Sequence, residues 1–147
     1  MKRILSIDGG GIRGIIPALV LAEIERRTGT PIARQFDLIA GTSTGGILAL
    51  GLTCADKDGN PAYSAEELAA LYSEHGGEIF RNTFWGRLNS LGGIVDETYS
   101  QEGIEGILKT FFEQRILGEC TQRAMVTCYD IQNREPVFLK SWKPEHR

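Results

Sequence analysis

The sequence predicts an α/β fold with a mainly parallel sheet, because a strand, a glycine-rich turn and a helix follow one another twice. The first occurrence covers residues 2–28 and the second covers residues 38–52 of the 147-residue chain. Each begins with a short apolar run and continues, after its glycines, as a helix-like run. A strand, a helix and a second strand in this order are expected to form a right-handed parallel unit.

Residues typical of strand and helix ends delimit the first unit. Lys2 to Ile7 is predicted as a strand, and Ile16 to Thr28 as a helix with Pro17 in its first turn. Gly29 and Pro31 are expected to end this helix. The apolar residues that recur at helical spacing, and that should face the core, are Ile16, Leu19, Val20 and Ile24.

Two more helices are predicted further along the chain. Ser64 to Glu67 forms a capping box, which starts a helix that should end near His75, before Gly76 and Gly77. The apolar spacing of residues 101–112 predicts a second helix.

Two short runs toward the end of the sequence predict strands. They cover residues 124–129 and 136–140 and flank the polar residues Gln132 to Glu135. The two strands are expected to form a hairpin or an edge of the sheet. Internal repeats and low-complexity segments are absent from the sequence.

Ser43 is the candidate nucleophile. It lies at the centre of Gly41-Thr42-Ser43-Thr44-Gly45, between the strand-like run at residues 38–40 and the helix-like run at residues 47–52. A serine in this context sits on a sharp turn that exposes its hydroxyl, and Gly41 and Gly45 remove side chains that would collide with neighbouring elements. The same short pattern also occurs in ordinary glycine and serine loops, so it leaves both interpretations open.

A glycine loop from Asp8 to Gly14 follows the first strand. Its amides, the following helix N-terminus and the charge of Arg13 favour an anion at this place. A surface arginine is the alternative for Arg13, but a cation at a helix start opposes the helix dipole unless an anion binds there. The anion is either a ground-state phosphate or the oxyanion formed when a serine attacks an ester.

The spacing Gly9-x-Gly11-x-x-Gly14 also fits a dinucleotide-binding fingerprint. That fold needs an acidic residue at the far end of its second strand to bind the ribose. Here Asp37 precedes the second strand, and the turn that carries Ser43 follows it. The oxyanion interpretation is therefore favoured over the dinucleotide one.

Together the two motifs resemble those of the patatin-like phospholipase family. The family's D-G-G-G-x-R-G loop is matched at residues 8–14, and its F-D-x-I-x-G-T-S-x-G-G elbow at residues 36–46, in the same order. The resemblance implies a three-layer α/β/α hydrolase with a mainly parallel sheet. It further implies that Ser43 attacks an acyl ester of a lipid. The residues that it implies for the oxyanion hole are Gly9, Gly10, Gly11, Arg13 and Thr44, with Gly14, Gly41 and Gly45 as motif glycines.

The resemblance also implies a Ser-Asp dyad, whose aspartate belongs to a D-G-G or D-G-A motif downstream of the serine. This sequence has no such motif after Ser43. Residues 1–147 are therefore expected to be the N-terminal portion of one patatin-like domain, with an incomplete sheet and with the base outside the chain. Alone, the chain is expected to be inactive as a phospholipase. The alternative is a noncatalytic fragment or pseudoenzyme that retains an anion- or lipid-binding pocket.

The acids and histidines within the chain are poor candidates for the base. The chain has six aspartates. They are Asp8 in the loop, Asp37 before the elbow strand, Asp56 and Asp58 in a surface turn, and Asp96 and Asp130, which lack a following glycine. The two histidines are His75, at an expected helix end, and His146, the penultimate residue. Neither has the setting of a triad histidine.

Composition limits the partners. The net charge of −3 without a basic cluster argues against nucleic acid, because phosphate binding depends on clustered Lys and Arg. No stretch has the roughly 20 apolar residues that span a bilayer, so any membrane contact is expected to be peripheral. The three cysteines lack a C-x-x-C pair, which predicts a reducing, cytoplasmic setting. Neither a cofactor nor a metal is expected, and a regulatory domain or partner could lie downstream.

An aromatic and apolar segment interrupts the pattern between residues 76 and 98. Its large side chains are set among glycines. They could form a lid or the wall of an acyl-chain site. The alternative, that they fill the core beneath a long connection, is favoured because most large apolar residues are buried for packing.

Overall fold

The chain forms an α/β structure in a computed structural model that describes residues 1–81, 106, 108–109, 111–112 and 115–143, with side chains of the first range described to residue 74. Two 3-10 turns, Gly11–Gly14 and Leu117–Glu119, precede α1 and β3. The elements in chain order are β1 (Ile4–Ile7), α1 (Ile15–Thr28), α2 (Ile32–Gln35), β2 (Leu38–Thr42), α3 (Thr44–Thr53), α4 (Ala65–Arg81), β3 (Arg123–Asp130) and β4 (Glu135–Lys140).

The described strands form one four-stranded sheet in the order β1-β2-β3-β4. The first three strands are parallel, and β3 and β4 form an antiparallel hairpin. The predicted α/β class, the mainly parallel sheet and the hairpin are confirmed. Strand boundaries differ from the predicted ones by one or two residues.

One core joins the described helices to one face of the sheet. Ile7 and Ile39 come from alternate positions of β1 and β2, and they pack with Leu48 and Leu52 of α3. Leu68 on α4 belongs to the same cluster. Successive right-handed crossovers in one direction place α1 and α3 on the same side of the sheet.

The core-facing side of α1 differs from the predicted one. Ala18 and Leu21 are buried, whereas the expected core residues Ile16, Leu19 and Val20 are exposed. Ile24 is partly buried against the core, as predicted. Apolar residues occur around most of the first two turns of α1, so helical spacing alone fits two sides. Packing against α4 selects the side with the small side chain of Ala18, which lets the helices approach closely.

The capping box at the start of α4 is confirmed, and the predicted end of this helix is wrong. The Glu67 amide donates to Ser64 Oγ at 3.2 Å, and the Ser64 amide donates to Glu67 Oε2 at 2.8 Å. The helix continues to Arg81 through Gly76 and Gly77. Each glycine disfavours a helix by about 1 kcal/mol but, unlike proline, keeps its amide donor, so the ladder can continue.

The Glu25 carboxylate on α1 caps two other helices. Its Oε1 accepts from the Ile32 amide at 2.7 Å, and its Oε2 accepts from the Ala65 amide at 2.8 Å. These amides open α2 and α4, where helix geometry leaves the first donors without intrahelical acceptors. The charge also favours the positive ends of both helix dipoles. Glu25 therefore ties α1, α2 and α4 into one body.

Several predictions lie outside the described residues. They concern Asp96, His146, the segment at residues 82–98 and much of the helix expected at residues 101–112. The described members of that last helix, residues 106, 108–109 and 111–112, are helical. Within the described ranges, no helix has both the length and the apolar character needed to cross a membrane.

Candidate active site

The two sequence motifs meet at the edge of the sheet where the parallel strands β1 and β2 have their carboxyl ends. Ile7 pairs with Gly41 in the parallel register, so β1 and β2 end side by side. Asp8 leaves β1 at this edge, and Ser43 follows the last residue of β2. Open α/β sheets bind ligands outside the carboxyl ends of their strands, which is where both motifs lie.

Ser43 forms the strained turn that the motif predicts. Its φ of 54° and ψ of −124° are rarely adopted by a residue with a side chain. Its side chain is solvent-exposed, and its carbonyl accepts from the Gly46 and Ile47 amides as α3 begins. A Cβ on Gly41 would overlap the Gly45 carbonyl, and one on Gly45 would overlap the carbonyl of Ile7. The close approach of strand and helix therefore explains both glycines.

The glycine loop lies directly against this turn. A Cβ built on Gly9 would be 2.9 Å from Ser43 Cβ and 2.9 Å from the Thr42 carbonyl oxygen. The Gly10 amide donates to Thr44 Oγ1 across 3.2 Å. Thr44 is 2% exposed, so this bond is largely shielded from water. The two motifs are thus joined by a hydrogen bond between residues that lie 34 positions apart in sequence.

The predicted oxyanion donors differ in their hydrogen bonds. The Gly10 amide is engaged by Thr44 Oγ1, whereas the Gly11 amide donates no hydrogen bond within the part of the chain that the structure describes. Gly11 has φ 58°, a left-handed conformation that glycine adopts without strain. The Thr44 amide opens α3 and has no intrahelical acceptor. Within the described residues, the amides of Gly9, Gly11 and Thr44 therefore donate no hydrogen bond and are available to a bound anion.

Arg13 closes the glycine loop. Its amide donates to the Gly10 carbonyl at 3.2 Å, and its Nε approaches the same oxygen at 3.4 Å. The side chain is exposed, so the guanidinium charge lies at the surface beside the loop. Arg13 thus braces the loop and adds positive potential near it.

Tyr72 on α4 contacts the residue that follows Ser43. This role of Tyr72 was not predicted from the sequence. Its hydroxyl donates to the Thr44 carbonyl at 2.9 Å, and its burial raises its pKa, so the hydroxyl keeps its proton. A Cβ on Gly14 would be 2.8 Å from Tyr72 Cε1, which explains that glycine. The apolar spacing of Leu68 and Tyr72 indicates burial, but nothing local to α4 indicates the partner of the hydroxyl.

The described acids form no hydrogen bond with the candidate nucleophile. Within the described residues, the Ser43 hydroxyl forms no hydrogen bond. Asp37 lies at the opposite edge, where the Lys2 ammonium and the Arg3 amide hold its pKa below its usual range. Asp130 accepts from Gln132 and Asn133 in the hairpin turn.

Asp56 and Asp58 lie in the turn between α3 and α4. Asp56 caps its own turn through the amides of Asp58 and Asn60.

Among the described residues, no group of three or more His, Cys, Asp or Glu could hold a metal ion. None of the three cysteines forms a disulfide.

Comparison with known proteins gives one consistent result. The family model described as patatin-like phospholipase matches residues 5–142. Patatin-like protein 2 of Oryza sativa subsp. indica is 33% identical over 157 aligned positions, covering 100% of this chain and 38% of its own length. Patatin-like protein 4 of Arabidopsis thaliana is 31% identical, covering 95% of this chain and 36% of its own.

A potato protein extends this pattern. Patatin group M-1 of Solanum tuberosum is 32% identical over 149 aligned positions, which cover 96% of this chain and 36% of that protein. The chain therefore spans between 36% and 38% of the length of these relatives.

Proposed function

Because the chain belongs to the patatin-like phospholipase family, we propose that it is the nucleophile-bearing portion of a serine acyl hydrolase that acts on lipid esters. The observation that carries this proposal is the contact between Ser43 on its strained turn and the glycine loop, whose Gly11 amide donates no hydrogen bond among the described residues. This arrangement offers a nucleophile and anion-binding donors within one small volume, as acyl transfer requires.

The proposed reaction has two stages. Ser43 Oγ attacks the ester carbonyl carbon while its proton passes to a carboxylate base, and the carbonyl oxygen becomes the oxyanion. The Gly11 and Thr44 amides, with Gly9 beside them, receive that oxyanion, and each donor should contribute about 3 to 4 kcal/mol to the transition state. Collapse expels the alcohol with the transferred proton. Water, deprotonated by the same carboxylate, then releases the fatty acid and restores Ser43.

The base in this proposal is an aspartate outside the 147 residues, forming a Ser-Asp dyad. Two observations support this. No described acid forms a hydrogen bond with the Ser43 hydroxyl, and the relatives are longer than this chain. A carboxylate of pKa about 3.9 is a weak base for a hydroxyl, so it must be desolvated to act. On this view, residues 1–147 are the N-terminal portion of one domain.

The proposed setting is the cytoplasm, with peripheral membrane contact. Its support is the absence of disulfides among Cys54, Cys120 and Cys128, one of which is exposed. An exposed thiol persists most readily in a reducing compartment.

The test compares the 147-residue chain with a longer chain that supplies the downstream part of the domain. Hydrolysis of p-nitrophenyl esters and of phospholipid vesicles is measured for each, together with fluorophosphonate labelling located by mass spectrometry. We expect labelling and turnover in the longer chain only, and their loss in Ser43→Ala. Ser73→Ala, at an exposed helical serine, is the matched control and should retain both.

Two outcomes would contradict the proposal. Turnover that persists in folded Ser43→Ala would remove Ser43 as the nucleophile. Full turnover by the 147-residue chain would place the base within it, because a serine without a base retains only roughly 10³ to 10⁴ over the rate in water. A longer chain that binds lipid without labelling would favour the noncatalytic binding protein instead.

A further inference from the structure

One side of the segment formed by the 3-10 turn at Gly11–Gly14 and by α1 exposes large apolar side chains. The exposed fractions are 49% for Ile12, 60% for Ile16, 55% for Leu19 and 55% for Val20. Ile16, Leu19 and Val20 lie three or four residues apart on the side of α1 away from the buried Ala18, and Ile12 lies in the 3-10 turn that leads into α1. This α1 apolar face departs from the usual pattern, in which the solvent side of a helix is polar.

The α1 apolar face begins at the candidate active site. Ile12 lies between Gly11 and Arg13, within the glycine loop itself. At about 2.0 Å per residue in the 3-10 turn and about 1.5 Å in α1, the face extends roughly 13 Å from Ile12 to Val20, which is the half of the segment nearest the edge that carries Ser43. The exposed apolar area and the reactive edge of the sheet are therefore continuous.

The same side of α1 becomes charged beyond the apolar face. Arg26 and Arg27 both donate to Glu23, with Nε to Oε distances of 2.6 Å. Two cations on one carboxylate leave a net positive charge at this end, and the exposed Arg13 lies at the other end, in a loop that also carries the exposed Asp8. Exposed cations therefore lie at both ends of the face, in a chain whose net charge is −3.

We propose that the α1 apolar face docks the protein on a phospholipid surface; the choice of a lipid partner rests on the proposed function. Apolar side chains between cations match a bilayer, whose acyl region lies beneath anionic phosphates. Docking there presents the Ser43 edge to the membrane. A second copy fits poorly, because a two-fold contact through this face would place the cations at the ends of one copy against those of the other.

The test measures binding to vesicles of phosphatidylcholine mixed with phosphatidylserine by flotation, which requires no turnover. The variants are Ile16→Gln with Val20→Gln, and Leu19→Gln alone as a milder second variant. The matched control is Ile4→Thr with Ile116→Gln, which removes apolar side chains exposed by 63% and 53%. Ile4 is the first residue of β1 and Ile116 precedes β3, so both lie away from the Ser43 edge. Circular dichroism and thermal melting check folding.

We expect the double α1 variant to lower the partition coefficient about 100-fold and Leu19→Gln about tenfold, since each removes apolar area from the bilayer contact. The control should stay within about twofold because its side chains lie outside the contact. Equal losses in the α1 variants and the control would overturn the docking proposal, as would wild-type protein that does not float. Self-association that the α1 variants disperse, without vesicle binding, would assign the face to a second copy.

The two proposals fail separately. Ser43→Ala should float like the wild type, so binding does not depend on the nucleophile. In the longer chain, the α1 variants should lose vesicle hydrolysis and keep hydrolysis of a soluble ester. Unlabelled Ser43 with intact docking would refute only the hydrolase, and labelled Ser43 without docking would refute only the α1 apolar face.

Discussion

Tyr72 donates a hydrogen bond of 2.9 Å to the carbonyl oxygen of Thr44, the residue that follows Ser43. The amide and hydroxyl of Thr44 belong to the same contact region, since its Oγ1 accepts from the Gly10 amide. A tyrosine on α4 thus fixes the residue that joins the elbow to the glycine loop. The rigidity of the candidate site depends on a helix that carries neither motif.

Tyr72→Phe is expected to destabilise the protein by about 1 to 2 kcal/mol, because the Thr44 carbonyl loses its buried donor. Chemical denaturation gives the free energy of unfolding. Tyr129→Phe, at a tyrosine that is 62% exposed, is the control and should leave that free energy unchanged. In the longer chain, Tyr72→Phe should also slow fluorophosphonate labelling. A variant as stable as the wild type would show that the hydrogen bond is dispensable.

Ser43→Gly should stabilise the fold by about 1 kcal/mol while removing the nucleophile. The positive φ of Ser43 costs roughly 1 to 3 kcal/mol, and glycine avoids this cost while adding some entropy to the unfolded chain. The control is Ser73→Gly, which lies within α4 and should destabilise by about 1 kcal/mol. Thermal melting compares the stability of both variants with that of the wild type. A Ser43→Gly variant that is less stable than the wild type would refute strain at this turn.

Gly11→Ala and Gly10→Ala separate backbone strain from access to the oxyanion. Gly11→Ala should destabilise by about 1 to 2 kcal/mol, since φ is 58° there. Gly10→Ala should be milder for the fold, because its Cβ would meet the Arg13 Cβ at an ordinary 3.6 Å. In the longer chain both should lower kcat much more than they raise KM. Losses confined to KM would indicate a ground-state phosphate site.

Glu25→Ala should destabilise the protein by roughly 2 to 3 kcal/mol, because the amides of Ile32 and Ala65 both lose their acceptor. Glu66→Ala, in the first turn of α4, removes a carboxylate near the same helix dipole without removing a cap. It should cost no more than about 1 kcal/mol. Similar losses in the two variants, measured by urea denaturation, would mean that Glu25 acts only through its charge.

The stability contributed by Glu23 should disappear in acid. Hydrogen bonds from Arg26 and Arg27 lower the pKa of Glu23 from 4.5 to about 2. Because the folded pKa is depressed, the contribution is fully present above pH 4.5 and is lost as the pH falls toward 2. The difference in melting temperature between the wild type and Glu23→Gln should shrink across that window. A difference independent of pH would exclude the ionised pair as its cause.

The sequence by itself determined the parts of the site that depend on local backbone geometry. A sharp turn between a strand and a helix requires glycines two residues on either side of Ser43, so Gly41 and Gly45 mark it directly. The loop that contains Gly11 needs a left-handed residue, which glycine provides. The capping box of Ser64 and Glu67 is likewise a contact between near neighbours. The assignment of Ser43 and the oxyanion donors to catalysis stays a prediction.

Only the tertiary structure decided which surfaces meet. Helical spacing fits two sides of α1, and packing against α4 buried Ala18 while leaving Leu19 in solvent. Tyr72 and Thr44 are 28 residues apart, and their hydrogen bond exists because α4 crosses beneath the elbow. That bond also requires the Thr44 carbonyl to be buried, which depends on every element around it. Contacts of this kind arise from the free energy of the whole packed core, so no local pattern encodes them.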